Sequence, residues 1–231
     1  MSKDISHRPR KNALIALAAF TAAYMLSAII AAISTGNGEF IFYIVVMLVL
    51  IGVVMFVHTR VTLSLALLWC LSAWGLLHMA GGLMPVPESW PIDGDIRVLY
   101  SWWIIPGPDG STPGDGTGGI LKYDQITHAF GFGTTTWLCW QAFLGAMRAQ
   151  APGRDIRPTL GLMVLMAVAG AGFGALNEVV EFIATRLAET NVGGYVNTGL
   201  DLVFNTAGTA IAASAIYIRS RLSARKDPEK A

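Results

Sequence analysis

The sequence predicts an all-α, polytopic membrane protein, and three observations support this fold class: composition, run length and charge placement. Apolar residues make up 54% of the 231 residues and charged residues 13%, which is about half the charge of an average soluble domain. The mean hydropathy is +0.54. We expect a single membrane domain over residues 1–231, and the net charge of +1 gives no reason to expect nucleic acid as a partner.

Six apolar stretches are long enough to cross a bilayer, which takes about 20 mostly apolar residues in a helix. They cover residues 12–34, 40–58, 61–83, 125–147, 159–187 and 198–219. The first stretch follows basic residues, as the apolar part of a signal peptide would. It is longer than the roughly 7–15 residues of that part, so we interpret it as a retained membrane anchor.

Lysine and arginine lie mostly on one side of the predicted bundle. With six spans, both termini and the connections before the third and fifth spans share a side, and they hold 13 of the 16 basic residues. The opposite side holds Arg97, Lys122 and Arg186. Because lysine and arginine are enriched in cytoplasmic connections, we expect both termini in the cytoplasm.

The connection over residues 84–123 is the one long loop of this topology, and it is expected to face outward. Its first half carries aromatic residues that suit a membrane–water interface: Trp90, Tyr100, Trp102 and Trp103. Its second half, residues 106–119, is rich in Gly, Pro and Asp and is typical of flexible turns. The pairs Asp109-Gly110 and Asp115-Gly116 resemble parts of a calcium loop, but their spacing favours a simple linker.

Ionisable side chains inside the spans are the strongest functional signal, because such groups are costly in a bilayer and usually serve a function. The fourth, fifth and sixth spans each carry polar residues spaced three or four apart, which places them on one helical face. The fourth and sixth spans start at the outer side, and the third and fifth end there. The polar residues should therefore share one level near the outer face: His78, Asp124, His128, Asn177, Glu178, Glu181, Asp201 and Asn205.

A divalent metal ion would explain why several carboxylates gather in a dry layer, since close carboxylates cannot all ionise without compensation. A shell of histidine and carboxylate suits zinc, manganese or iron, and an oxygen-only subset suits magnesium or calcium. The expected metal ligands are Asp124, His128, Glu178, Glu181 and Asp201. Asn205, His78 and Asn177 are expected to support them, and no organic cofactor is expected.

Simpler interpretations of the same residues stay open. Asp124 suits a helix N-cap, and Asp201 suits the first turn of a helix, where an acid complements the helix dipole. Glu178 or Glu181 could pair with Arg186, and Asn205 could link helices through hydrogen bonds. Some carboxyl groups could also be protonated.

Four segments resemble the YjdF-like family of bacterial inner-membrane proteins and, more distantly, VanZ-like membrane proteins. They are residues Leu77–Gly82, Tyr123–His128, Asn177–Glu181 and Asp201–Gly208. The VanZ-like proteins share the order of an Asp…His helix start, a later Glu and an Asp-x-x-x-Asn-x-x-Gly helix. The resemblance implies a multi-pass protein of the bacterial inner membrane with a polar site, and it names no substrate.

Three functions from different classes fit the sequence. The first is an intramembrane metal-dependent hydrolase or transferase acting on a lipid or lipid-linked envelope substrate, with His128, Glu181 and Glu178 as the catalytic residues. The second is a non-catalytic structural or partner-binding membrane protein. The third is a proton- or cation-coupled transporter. The lipid bilayer is a partner in all three, and the sequence leaves the oligomeric state open.

Overall fold

The computed structural model describes residues 11–108, 117–187 and 194–226, and six long helices make up most of them. The helices are α1 (Lys11–Thr35), α2 (Gly38–Val61), α3 (Leu65–Leu83), α4 (Tyr123–Gln150), α5 (Leu160–Leu187) and α6 (Tyr195–Lys226). Each one overlaps a predicted stretch. The basic segment before Lys11, which helped to predict the orientation, lies outside the described residues.

The third helix begins later than the predicted start at residue 61, because a tight turn separates α2 from α3. Thr62 has a φ of 52° in the left-handed region, and its backbone N–H donates to the His58 carbonyl. Ser64 then caps α3 by accepting from the Leu67 N–H at 3.3 Å. Gln141 of α4 holds this turn, accepting from the Ser64 N–H and donating to its hydroxyl, both at 2.8 Å.

Five of the helices, α1, α2, α3, α5 and α6, are long and apolar enough to cross a membrane. Their outer faces expose large apolar side chains, such as Ile33, Leu160 and Ile211, each about two-thirds exposed, as expected where lipid is the solvent. These findings agree with a multi-pass membrane protein.

Helix α4 is long enough to span but, unlike the other five, contains no stretch of membrane-spanning length that is sufficiently apolar, and its packing explains this. It packs against α3, α5 and α6, so much of its surface faces protein rather than lipid. Thr135 and Thr136 are buried on it and satisfy their hydroxyls by donating to backbone carbonyls one turn earlier, at 2.9 and 2.8 Å. A helix in this position does not need the composition of a lipid-facing span.

Glycines bring α4, α5 and α6 into close contact. A Cβ on Gly208 of α6 would lie 1.9 Å from the Ala129 carbonyl oxygen of α4, so the two backbones touch there. A Cβ on Gly170 of α5 would lie 2.0 Å from the Thr136 hydroxyl, and one on Gly174 would lie 2.8 Å from the Asn205 amide. Short polar side chains on the three helices can therefore reach one another.

The connection between α3 and α4 contains regular structure that the sequence did not predict. Strands β1 (Trp103–Pro106) and β2 (Gly119–Lys122) pair as an antiparallel hairpin after a 3₁₀ turn at Leu99–Ser101. Trp90 stacks on Trp102 with ring centroids 4.2 Å apart. Trp103 is only 1% exposed, so its expected place at a membrane–water interface is wrong. The two Asp-Gly pairs at 109–110 and 115–116 lie outside the described residues.

Candidate functional site

The polar side chains of α4, α5 and α6 meet in one buried cluster. Asp124 and His128 lie in the first two turns of α4, Asp201 and Asn205 lie in the first half of α6, and the α5 residues lie towards its C-terminal end. His128 is 7% exposed and Asp201 1%. The cluster comprises Asp124, His128, Asn177, Glu178, Glu181, Asp201 and Asn205.

His128 is at the centre, and its ring nitrogens have different surroundings. Nδ1 lies 3.0 Å from the Asn205 amide oxygen. That oxygen can only accept, so Nδ1 carries the proton. Nε2 then keeps its lone pair in the neutral ring. It faces three carboxylate oxygens, those of Asp124 at 3.5 Å, Asp201 at 3.9 Å and Glu181 at 4.0 Å.

Three asparagines orient the carboxylates by donating hydrogen bonds to them. Asn177 donates to Glu181 Oε1 at 2.7 Å, and Asn197 donates to Asp201 Oδ2 at 2.7 Å. Both pairs are four residues apart on one helix and so share a face. Asn205 donates to Glu178 Oε1 at 3.4 Å while accepting from His128. Hydrogen bonds of this kind fix the orientation of metal ligands in known metal sites.

Two carboxylate oxygens in the cluster lack a hydrogen-bond donor. Asp201 Oδ1 and Glu178 Oε2 are both buried without a partner among the described residues. A buried acceptor left in this state is costly. Asp201 Oδ1 is also the oxygen that faces His128 Nε2, since Asn197 holds the other one. Both orphaned oxygens would be satisfied by a cation bound in the cluster.

The donor atoms fit a metal ion of the first transition row or zinc. Two overlapping groups, Asp124–His128–Asp201 and His128–Glu178–Glu181, each place their ligand atoms within 4.8 Å of one another. Two ligands at the tetrahedral angle, each bonded at about 2.1 Å, lie about 3.4 Å apart. The distances of 3.5–4.0 Å around His128 Nε2 exceed this value only slightly.

Lys122 connects this cluster to the loop between α3 and α4. It is 4% exposed, and its Nζ lies 3.3 Å from Asp93 Oδ2. The same ammonium donates to the Asn197 amide oxygen, which leaves the Asn197 amide nitrogen directed at Asp201. Lys122 thus pairs with Asp93 and acts on Asp201 through Asn197.

We expect Lys122→Met to lower the free energy of unfolding by about 3–5 kcal/mol, because it removes the ammonium group that pairs with the buried Asp93 carboxylate. The double variant Asp93→Asn/Lys122→Met should recover most of this loss. Thermal and denaturant unfolding in detergent would measure both. Asp155→Asn, which removes an exposed ion pair with Arg157, is the control and should have a much smaller effect. A double variant as unstable as Lys122→Met would contradict the explanation.

His78, predicted to support the cluster, lies in an aromatic layer beside it. Its Nδ1 is bonded to the Tyr100 hydroxyl, and its ring lies against those of Phe40 and Tyr43. Burial raises the pKa of Tyr100 well above its ordinary value, so its hydroxyl stays protonated and donates to His78. Tyr100 also packs near Tyr123, the residue before Asp124, with ring centroids 6.1 Å apart.

The structure also decides between some of the simpler interpretations. Asp124 is not the N-cap of α4, because the cap is Lys122, whose N–H donates to Gln125 Oε1 at 3.0 Å. Arg186 lies over the Phe182 ring at 5.8 Å, and within the described residues it forms no salt bridge with Glu178 or Glu181.

The sequence analysis did not identify Asn197 and Asp93 as residues of the site. Asn197 stands four residues before Asp201, so helical spacing could have found it. Asp93 lies in an irregular loop, 29 residues before Lys122, and no spacing rule connects the two.

The helices and this cluster define a multi-pass membrane protein with a buried group of histidine and carboxylate side chains that could hold a metal ion. Residues 14–222 match the family described as Predicted membrane protein (DUF2238), and the chain belongs to that family. No curated protein and no solved structure matches the chain.

Proposed function

We propose that this protein is an intramembrane metal-dependent enzyme that hydrolyses or transfers a group on a lipid or lipid-linked envelope substrate. One observation carries the proposal. His128 Nε2 faces three carboxylates, one of which, Asp201, has a buried oxygen without a hydrogen-bond donor. Buried ionisable groups are costly in a membrane, so we expect a site of this kind to serve a function.

The cluster residues have two proposed tasks, holding the ion and moving a proton, and three of them take part in both. We assign the ion to Asp124, His128 and Asp201, with Glu181 and Glu178 as further ligands. A bound divalent ion activates water or polarises a phosphoryl or carbonyl oxygen. Glu181 is 13% exposed at its side chain against 7% for Glu178, so it is the α5 carboxylate more open to a substrate. We assign it the role of general base, with His128 and Glu178 as the other catalytic residues.

The proposed setting is the bacterial inner membrane, in a YjdF-like, distantly VanZ-like, single domain of six spans with both termini in the cytoplasm. The distribution of basic residues supports this orientation. In it, the starts of α4 and α6 and the end of α5 lie at the outer side. The site then faces the outer leaflet, where lipid-linked envelope molecules are found.

The test is the metal content of protein purified in detergent without chelator, measured by mass spectrometry. We expect about one equivalent of zinc, manganese or iron in the wild type, and its loss in His128→Ala and Glu181→Ala while both stay folded. The exposed Asp155→Asn, which removes an acid far from the cluster along the chain, should keep the metal. A folded wild type that binds none of the candidate ions, magnesium and calcium included, would overturn the proposal.

A structural role is the second candidate, and Asn205 is the observation that favours it. From α6 it accepts from His128 of α4 and donates to Glu178 of α5, so it fastens three helices together. Under this reading, alanine at Asn205, His128 or Glu178 lowers thermal stability and there is no metal to lose.

A further inference from the structure

A cleft between α3, α4 and α6 lies on the side of α4 that faces away from His128. It has a volume of about 570 Å³, and its walls include Ile126 and Trp137 of α4 and Phe204 of α6. At 100° per residue, Ile126 is turned about 160° from His128 around α4. The backbone contact between Gly208 and Ala129 separates the two sites. The cleft is therefore independent of the candidate metal site.

Small residues keep this cleft open. Gly133 and Gly208 line it where α4 and α6 cross, and Ala212 and Ala215 continue the lining along α6. The cleft extends along α6 from Phe204 to Arg219, which is about 22 Å at 1.5 Å per residue. This exceeds half of a hydrocarbon core about 30 Å thick. One extended acyl chain of a single leaflet fits along it.

The lining carries its charge at one end. Arg219 is the single charged residue among the described residues that line the cleft, and it lies at the end where α6 approaches the expected cytoplasmic surface. It is exposed, and within the described chain it has no acidic partner. Arg221 is engaged differently, since it donates to the Tyr217 hydroxyl at 2.9 Å and lies over that ring.

We propose that this cleft binds one phospholipid with an anionic headgroup, its acyl chain along α4 and α6 and its phosphate at Arg219. A long apolar wall with one arginine at its end complements an amphiphile whose negative charge is terminal. Arginine binds phosphate through paired charge-assisted hydrogen bonds. Basic pockets between helices on the cytoplasmic side are known to select anionic lipids.

The experiment compares four proteins in micelles that contain equal amounts of phosphatidylglycerol and phosphatidylethanolamine. They are the wild type, Arg219→Gln, Ala215→Trp, which fills the cleft, and the matched control Arg221→Gln. After detergent exchange, retained lipid is extracted and quantified per protein, and native mass spectrometry gives the protein's mass. We expect the wild type to retain phosphatidylglycerol about fivefold over phosphatidylethanolamine, the ratio that one basic residue supplies near an anionic surface.

Each variant tests one part of the proposal. Arg219→Gln should lose the preference, Ala215→Trp should lose the retained lipid, and Arg221→Gln should behave as the wild type. An unchanged ratio in Arg219→Gln, an equal loss in Arg221→Gln, or full retention in Ala215→Trp would overturn the proposal. A dimer without retained lipid would overturn it as well, because a second copy would then cover the cleft. None of these outcomes depends on whether the protein binds a metal.

Discussion

Asp201→Asn is expected to remove most of the affinity for a metal while leaving the metal-free bundle as stable as the wild type, or more stable. The substitution replaces a buried carboxyl group that lies near the Asp124 carboxyl with a neutral amide of similar shape, and an asparagine oxygen can still accept from Asn197. Loss of the charged ligand should weaken metal binding at least about 100-fold, since even the hydrogen-bond partners of ligands are worth about 10–100-fold.

The measurement is thermal unfolding in detergent, with chelator and with added metal, together with a metal titration. The exposed Asp95→Asn is the matched control, because it makes the same chemical change outside the cluster. The wild type should gain stability from the metal, and Asp201→Asn should gain little. Suppose that, with chelator present, the Asp201→Asn protein were clearly less stable than the wild type. Asp201 would then be a structural residue, and the functional assignment would fail.

Gly208→Ala is expected to destabilise the bundle by about 3 kcal/mol or more, the upper part of the range for overpacking. The new Cβ would lie 1.9 Å from the Ala129 carbonyl oxygen. Both groups are fixed to helix backbones, so α4 and α6 must move apart. His128 directly precedes Ala129, so this movement should also lengthen the His128–Asn205 hydrogen bond and weaken metal binding.

Gly172→Ala is the matched control for this prediction. Its Cβ would meet nothing within 4 Å, so the protein should be as stable as the wild type or slightly more stable, because alanine favours helix over glycine. Unfolding by heat and by denaturant, followed by circular dichroism in detergent, would measure both variants. Equal stability of the two would show that the crossing of α4 and α6 is looser than described.

Much of the candidate site could be predicted because helical spacing and depth are local properties. Asp124 and His128 share a face of α4 by their spacing of four, and counting residues from the helix ends places them level with Asp201 and Glu181. The structure brings these residues together. The helix bounds were also close, since runs of apolar residues follow the thickness of the bilayer.

The parts that were missed depend on contacts between distant segments. The hairpin of β1 and β2 forms within a connection that looked like a linker, and Trp103, the first residue of β1, is buried. His78 was assigned to the cluster by depth alone. Its bond to Tyr100 could not be predicted, because it depends on how the connection between α3 and α4 folds.

The position of α4 has a consequence for how the chain is made. A helix with a polar face gains little from entering lipid alone, since its ionisable groups need partners there. The residues that cover this face, on α5 and α6, are synthesised after it. We therefore expect newly made α4 to stay near the insertion machinery, or near α1 to α3, until α5 and α6 have been made. If α6 did not pack against α4, the polar face of α4 would stay incompletely covered.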